Sequence, residues 1–98
     1  MTNNTLRLIG LAYRASKITI GIDETLDKIK EKKVCLVFLD KDLFSNTEKQ
    51  LNYISKTENI NLLRCFTKDE LSHAIGKKNI SVIGILDEGF KKLIEESL

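Results

Sequence analysis

The six consecutive residues Val34-Cys35-Leu36-Val37-Phe38-Leu39 carry no charge, and no other feature of the chain restricts its fold as strongly. A short run of β-branched, aromatic and apolar side chains is a strand, and because successive side chains point to opposite faces, both faces of this strand must be covered. The chain therefore needs a sheet with this strand at its centre and helices above and below. The same run is far shorter than the roughly 18 to 20 residues that span a bilayer. The polar start Met1-Thr2-Asn3-Asn4 also lacks the basic and apolar regions of a secretion signal. The expected location is the cytoplasm, with no membrane partner.

The remaining elements are read from caps, glycines and changes of period, since the chain has no proline. Leu6, Ile9, Leu11, Ala12, Tyr13 and Ala15 suit a helix with a broad apolar side that ends near Ser16-Lys17. Ile18-Thr19-Ile20 reads as a short strand stopped by Gly21, after which Ile22, Leu26 and Ile29 form one helical stripe with Asp23 near its start. Beyond the central strand, Asp40-Lys41-Asp42 makes a turn, and Ser45-Asn46-Thr47-Glu48 has the spacing of a capping box opening a helix with Leu51 and Ile54. Ile60 to Phe66 is a strand. Thr67-Lys68-Asp69-Glu70 is a second capping box, opening a helix with Leu71, Ala74 and Ile75 that closes at Gly76. Ile80 to Leu86 is a further strand, and Phe90, Leu93 and Ile94 mark a last helix. Helices and strands alternate throughout, which favours an α/β sheet between helical layers.

With 98 residues, 42% of them hydrophobic and 31% charged, the chain supports one domain over residues 1–98. Cys35 and Cys65 lie in separate apolar runs, without the paired spacing of a metal site or disulfide, and are expected as buried, reduced thiols. His73 is the only histidine, and no Ser-His-Asp or Cys-His pairing is indicated by the local sequence, so it is expected at the surface or at a helix cap. Asp40, Asp42, Asp87 and Glu88 stand where strands end, and caps are preferred to catalytic roles for them. No enzyme, cofactor or metal is expected.

A net charge of +2 is too weak by itself to indicate a partner, but its distribution is uneven. Residues 1 to 39 carry seven Lys and Arg against four Asp and Glu, while the rest carry nine against ten. Arg14, Lys17, Lys28, Lys32 and Lys33 cluster around the first two helices and can either contact phosphate oxygens or remain a solvated surface. Gly21-Ile22-Asp23-Glu24 joins a strand to a helix, where unfilled N–H groups can meet a phosphate or base edge; the alternative is a glycine kept for an unusual backbone angle. Ile75-Gly76-Lys77-Lys78-Asn79-Ile80 is either a loop that packs apolar side chains on a base while its lysines hold the backbone, or a routine connection.

The segments Leu8-Ile9-Gly10-Leu11-Ala12-Tyr13-Arg14-Ala15-Ser16-Lys17, Phe66-Thr67-Lys68-Asp69-Glu70-Leu71 and Ala74-Ile75-Gly76-Lys77, with Gly21, Ser45-Asn46-Thr47 and Asp87-Glu88-Gly89-Phe90 in order, resemble the bacterial YlxQ-like proteins. These are a branch of the kink-turn RNA-binding ribosomal protein superfamily, of the L-seven-Ae and L-thirty-e type. The resemblance implies a three-layer α/β/α sandwich with a mixed four-stranded sheet, no catalytic activity, and structured ribosomal or regulatory RNA as partner. It also implies that the helix after the glycine and the loop before the last strand form the RNA face. The superfamily pattern G-x-N-E-x-x-K falls here on Gly21, Asp23, Glu24 and Asp27, so carboxylates replace an amide and an amine. An ionised carboxylate only accepts hydrogen bonds and cannot meet a guanine oxygen. Lys28, next to Asp27, points about 100° away from it. The competing reading is a protein-interaction module on the same fold, with ribosomal or other proteins as partners.

Overall fold

The computed structural model describes residues 3–98 as α1 (Asn4–Arg14), β1 (Ile18–Ile20), α2 (Ile22–Lys30), β2 (Leu36–Leu39), α3 (Asn46–Thr57), β3 (Asn61–Leu63), α4 (Lys68–Ala74), β4 (Val82–Ile85) and α5 (Glu88–Ser97). The strands form one sheet in the order β1-β4-β2-β3. Strands β2 and β3 are parallel and the other neighbours antiparallel, which is the mixed four-stranded sheet that the resemblance implies.

The pleat sorts the central strands between two cores. Leu36 and Phe38 of β2 join Ile83 and Ile85 of β4 beneath α1, α4 and α5, where Ile9, Leu71 and Ile94 complete one layer. Val37 and Leu39 face the other way with Val82, covered by Ile29 of α2 and Leu51 of α3. Burying one such side chain is worth about 1.5 to 3 kcal/mol, against about 0 to 1 kcal/mol for a surface ion pair, so the sandwich is held by its two cores rather than by its charges.

Two glycines permit close approaches that a side chain would block. A Cβ on Gly10 would lie 2.7 Å from the carbonyl oxygen of Ala74, so α1 crosses α4 almost in backbone contact. A Cβ on Gly84 would lie 2.3 Å from Thr19 Oγ1. In that space the buried hydroxyls of Thr19 and Thr25 bond each other at 2.8 Å, fastening α2 to β1.

Local caps follow the sequence closely. Asn3 Oδ1 accepts from Thr5 and Leu6 at the start of α1, Asp87 caps α5 through Phe90 N–H, and Thr67 with Glu70 makes a complete capping box. The Ser45 box is only half made: Ser45 Oγ accepts from Thr47 N–H, but Glu48 turns instead to Asn52 and Arg64, a charged partner being stronger than a backbone N–H. Asp40 is not a helix cap either; its carboxylate accepts from Asp42 N–H within the turn.

The strands are shorter than the apolar runs. Strand β3 stops at Leu63, and Cys65 just beyond it is exposed rather than buried as its sequence context suggests. In α5, Ile94 is buried but Leu93 is 50% exposed, so the apolar stripe is narrower than expected.

Replacing Gly84 with Ala should destabilise the protein by about 1 to 3 kcal/mol, because Thr19 must give up its hydrogen bond or shift the strand. Urea unfolding of Gly84→Ala, Thr19→Ala and the double variant checks this. The double variant should lose less than the two single losses added, since one clash is removed with its partner.

Candidate nucleic-acid interface

At the end of β1, Gly21 adopts φ 86° and ψ 167°, a region essentially reserved for glycine. Its N–H donates to Val82 O at 2.9 Å, and its carbonyl accepts from Thr25 N–H at 3.2 Å as α2 begins. The unusual backbone angle expected of Gly21 is therefore present, at the point where α2 starts. No side chain on Gly21 caps α2, so the first turn presents N–H groups outward. The exposed Asp23, Glu24 and Asp27 flank this end, and Glu24 reaches back to Ile20 N–H at 3.4 Å.

The connection from α4 to β4 comes to the same end of the sheet. Gly76 and Asn79 have positive φ, 67° and 59°, and the buried Ser72 holds the loop from below by accepting from Ile80 N–H at 2.8 Å. Lys77, Lys78 and Asn79 are exposed, and Lys77 Nζ stands 5.7 Å from the ring of Tyr13. Ile75 is only 5% exposed and belongs to the core, and Ile80 packs against that core, so neither presents a clear apolar surface to a base as the sequence suggested. Two residues after Ile80, Val82 receives the hydrogen bond from Gly21, which puts the loop beside the start of α2.

The cations that are neighbours in sequence separate in space. Lys17 accepts from Leu86 N–H at the far end of the β1-β4 ladder, about 13 Å from Gly21 at the rise of an extended strand. There Lys17, Lys28, Lys32 and Lys33 surround a hollow of about 470 Å³ with Cys35 and Glu88. Glu31 pairs with Lys33 at 3.2 Å and Lys28 at 3.6 Å, and Lys32 pairs with Glu58 at 2.6 Å. The hydrogen bond from Lys33, followed by the charge of Lys28, holds the Glu31 carboxyl below its ordinary value. Arg14 belongs to neither end. It lines a groove of about 770 Å³ between α1 and α4 with Arg7, Leu11, Glu70 and His73. His73 is exposed in the last turn of α4. The fourteen expected contact residues thus fall into three places: the Gly21 end with the Lys77 to Asn79 loop, the Lys17 hollow, and the Arg14 groove, which meets the Lys77 to Asn79 loop at Asp69 and His73.

One further group at the Gly21 end belongs to no motif in the sequence. Phe44, in the turn between β2 and α3, is 79% exposed, and the Arg64 guanidinium lies 4.8 Å from its ring centroid. The sequence signal for it is an aromatic residue isolated between polar clusters. Among the described residues, no three His, Cys, Asp or Glu side chains gather as a metal site, and no helix is long and apolar enough to cross a membrane.

The thiols differ in accessibility. Burial pushes Cys35 up to about 11, and its thiol donates to Ile85 O at 3.2 Å; burial also raises Cys65, which stays exposed. Iodoacetamide at pH 8 should therefore modify Cys65 first, and Cys35 should react appreciably only as the pH approaches 11, as peptide mass spectrometry of the alkylated protein can check.

Comparison with known proteins agrees with this architecture. The model of the family described as "Ribosomal protein L7Ae/L30e/S12e/Gadd45 family" matches residues 3–95. A relative named RNA-binding protein YlxQ, from Enterococcus faecium, is 35% identical over 91 residues, covering 93% of this chain and 87% of the relative. Its namesake from Bacillus subtilis (strain 168) is 33% identical over 88 residues, covering 89% and 88%. A solved structure described as a protein with unknown function from Bacillus halodurans C superimposes with a TM-score of 0.92 at 29% identity, over 98% of this chain and 97% of that one. The Giardia lamblia 15.5kD RNA binding protein shares the fold, with a TM-score of 0.79 at 16% identity over 99% of this chain and 87% of its own. With a family match across nearly its whole length, the chain belongs to the ribosomal protein L7Ae/L30e/S12e/Gadd45 family.

Proposed function

We propose that the protein is a non-enzymatic RNA-binding protein that takes a structured, kink-turn-like ribosomal or regulatory RNA on the end of the sheet shared by α2 and the α4–β4 loop. The observation that carries this reading is the hydrogen bond from Gly21 N–H to Val82 O, which joins the open start of a helix to a loop with two exposed lysines. The first-turn N–H groups can meet a phosphate or a base acceptor, Glu24 can accept from a base amino group, and Lys77 and Lys78 can neutralise phosphates. The names of the two curated relatives support the same partner. Lys17, Lys28 and Lys32 act differently in this reading. Lys17, about 13 Å from Gly21, lies beyond a Debye length of about 8 Å, so it adds little at that face, and Lys28 and Lys32 line the same distant hollow.

A second reading, a protein-interaction module, is favoured by the exposed Asp23 and Asp27, which put negative charge beside the proposed RNA. Reversing both (Asp23→Asn with Asp27→Lys) separates the two readings. A gain of about tenfold or more for an RNA helix with a three-nucleotide bulge and tandem G·A pairs supports the RNA face, whereas no gain favours a protein partner.

The face itself is tested by Lys77→Glu with Lys78→Glu. Filter binding over a salt series should return weaker affinity for that bulged RNA and a log–log slope smaller by about 2. Equal affinity for the double variant would remove the loop from the interface.

A further inference from the structure

The groove of about 770 Å³ between α1 and α4 borders the Lys77 to Asn79 loop at Asp69 and His73 but runs away from it along α1. Its floor is made in part by Gly10 and Ala74, where α1 crosses α4 almost in backbone contact and little side chain fills the space. Arg7, Leu11 and Arg14, at i, i+4 and i+7, form one ridge of α1 along the first rim, and all three are exposed. Leu11 is one of the few large apolar side chains left open to solvent, at 43%. The exposed Asp69 and Glu70, in the first turn of α4, stand on the opposite rim.

These charges have no ionic partner within their own chain. Among the described residues, Lys28, Lys32 and Lys33 pair with Glu31 or Glu58, Arg64 with Glu48 and Lys91 with Glu88, whereas Arg7, Arg14, Asp69 and Glu70 enter no ion pair. Glu70 is nevertheless held in place, because its carboxylate accepts from Thr67 N–H at 2.9 Å. One cationic rim facing one anionic rim decides what fits between them. RNA, a polyanion, is repelled along α4, and a wholly acidic or wholly basic peptide matches one rim only. A second copy of the same face matches both. Turned about a two-fold axis lying along the groove, it sets each Arg7 ridge above the other copy's acidic rim and each Leu11 over the other's floor, whereas an axis across the groove sets like charges together. We propose that a second copy of this chain docks in the groove, forming a two-fold dimer through α1 and α4. Both copies use the same patch, so the assembly closes at two. The groove offers each copy fewer residues than the roughly 20 to 30 of a stable interface, so the association is weak and depends on concentration. No RNA contact enters this inference, and it stands apart from the RNA-binding reading.

Sedimentation equilibrium of the full chain without RNA, from about 10 μM to 1 mM, reads the association directly. The average mass should rise from that of one chain toward that of two and stop there. Arg7→Glu and Asp69→Lys should each weaken the dimer about tenfold or more, since each reverses one member of both symmetric pairs. An equimolar mixture of the two variants should recover the association of the parent, because every reversed side chain then faces an opposite charge, and that recovery also shows that neither variant has lost its fold. A parent that sediments as one chain at every concentration overturns the proposal. So does a parent dimer that both variants leave unchanged, because the contact then lies on another face, and so does a mixture that stays as dissociated as its two components.

Discussion

Burial of β2 and β4 on both faces is the constraint from which the other features follow. Alternate residues of each strand enter different cores, so neither helical layer can be lost without exposing half of the central sheet. Within this apolar arrangement Gly84 is the exception, a place on the α2 side of β4 where no side chain projects. Thr19 and Thr25 fill it, and two hydroxyls that would be costly to bury separately satisfy one another. The same pair fixes the start of α2 against β1, so the geometry around Gly21 is inherited directly from the packing of the sheet.

The charges on α2 show how a local requirement can resemble a functional pattern. Asp23 and Glu24 stand in the first turn and Lys28 and Lys30 in the last, the arrangement that complements the helix dipole at both ends. Lys32 and Lys33 follow at the C-terminal end, where acidic partners are within reach. This accounts for the basic excess near the N-terminus without a ligand. It also explains why the carboxylates, rather than the lysines, adjoin the open end of the helix.

Much of the fold was legible because strong periodicity and cap chemistry act locally. The order of elements, the central strand, the Thr67–Glu70 box and the Asp87 cap all follow from neighbours within a few residues. What escaped depends on residues distant in sequence. Glu48 abandons its box for Arg64, and Cys65 is exposed just beyond a strand of only three residues. At the candidate site, Gly21 and the Lys77–Asn79 loop were identifiable from turn chemistry and from the family resemblance. The separation of Lys17 from Gly21 was not, since sequence proximity does not state which end of a strand a side chain occupies. The contact between Phe44 and Arg64, twenty residues apart, likewise exists only in the fold.

Both margins of the sheet are brief: β1 pairs with β4, and β3 with β2, over three residues each. A row of backbone donors and acceptors this short gives another extended chain little to copy, and the exposed Asn61 on β3 adds a polar, strand-disfavouring side chain. Neighbouring molecules are thus offered little backbone through which to zip together. Recognition is left to side chains and helix ends, so specificity can evolve there without creating a path to fibrous assembly.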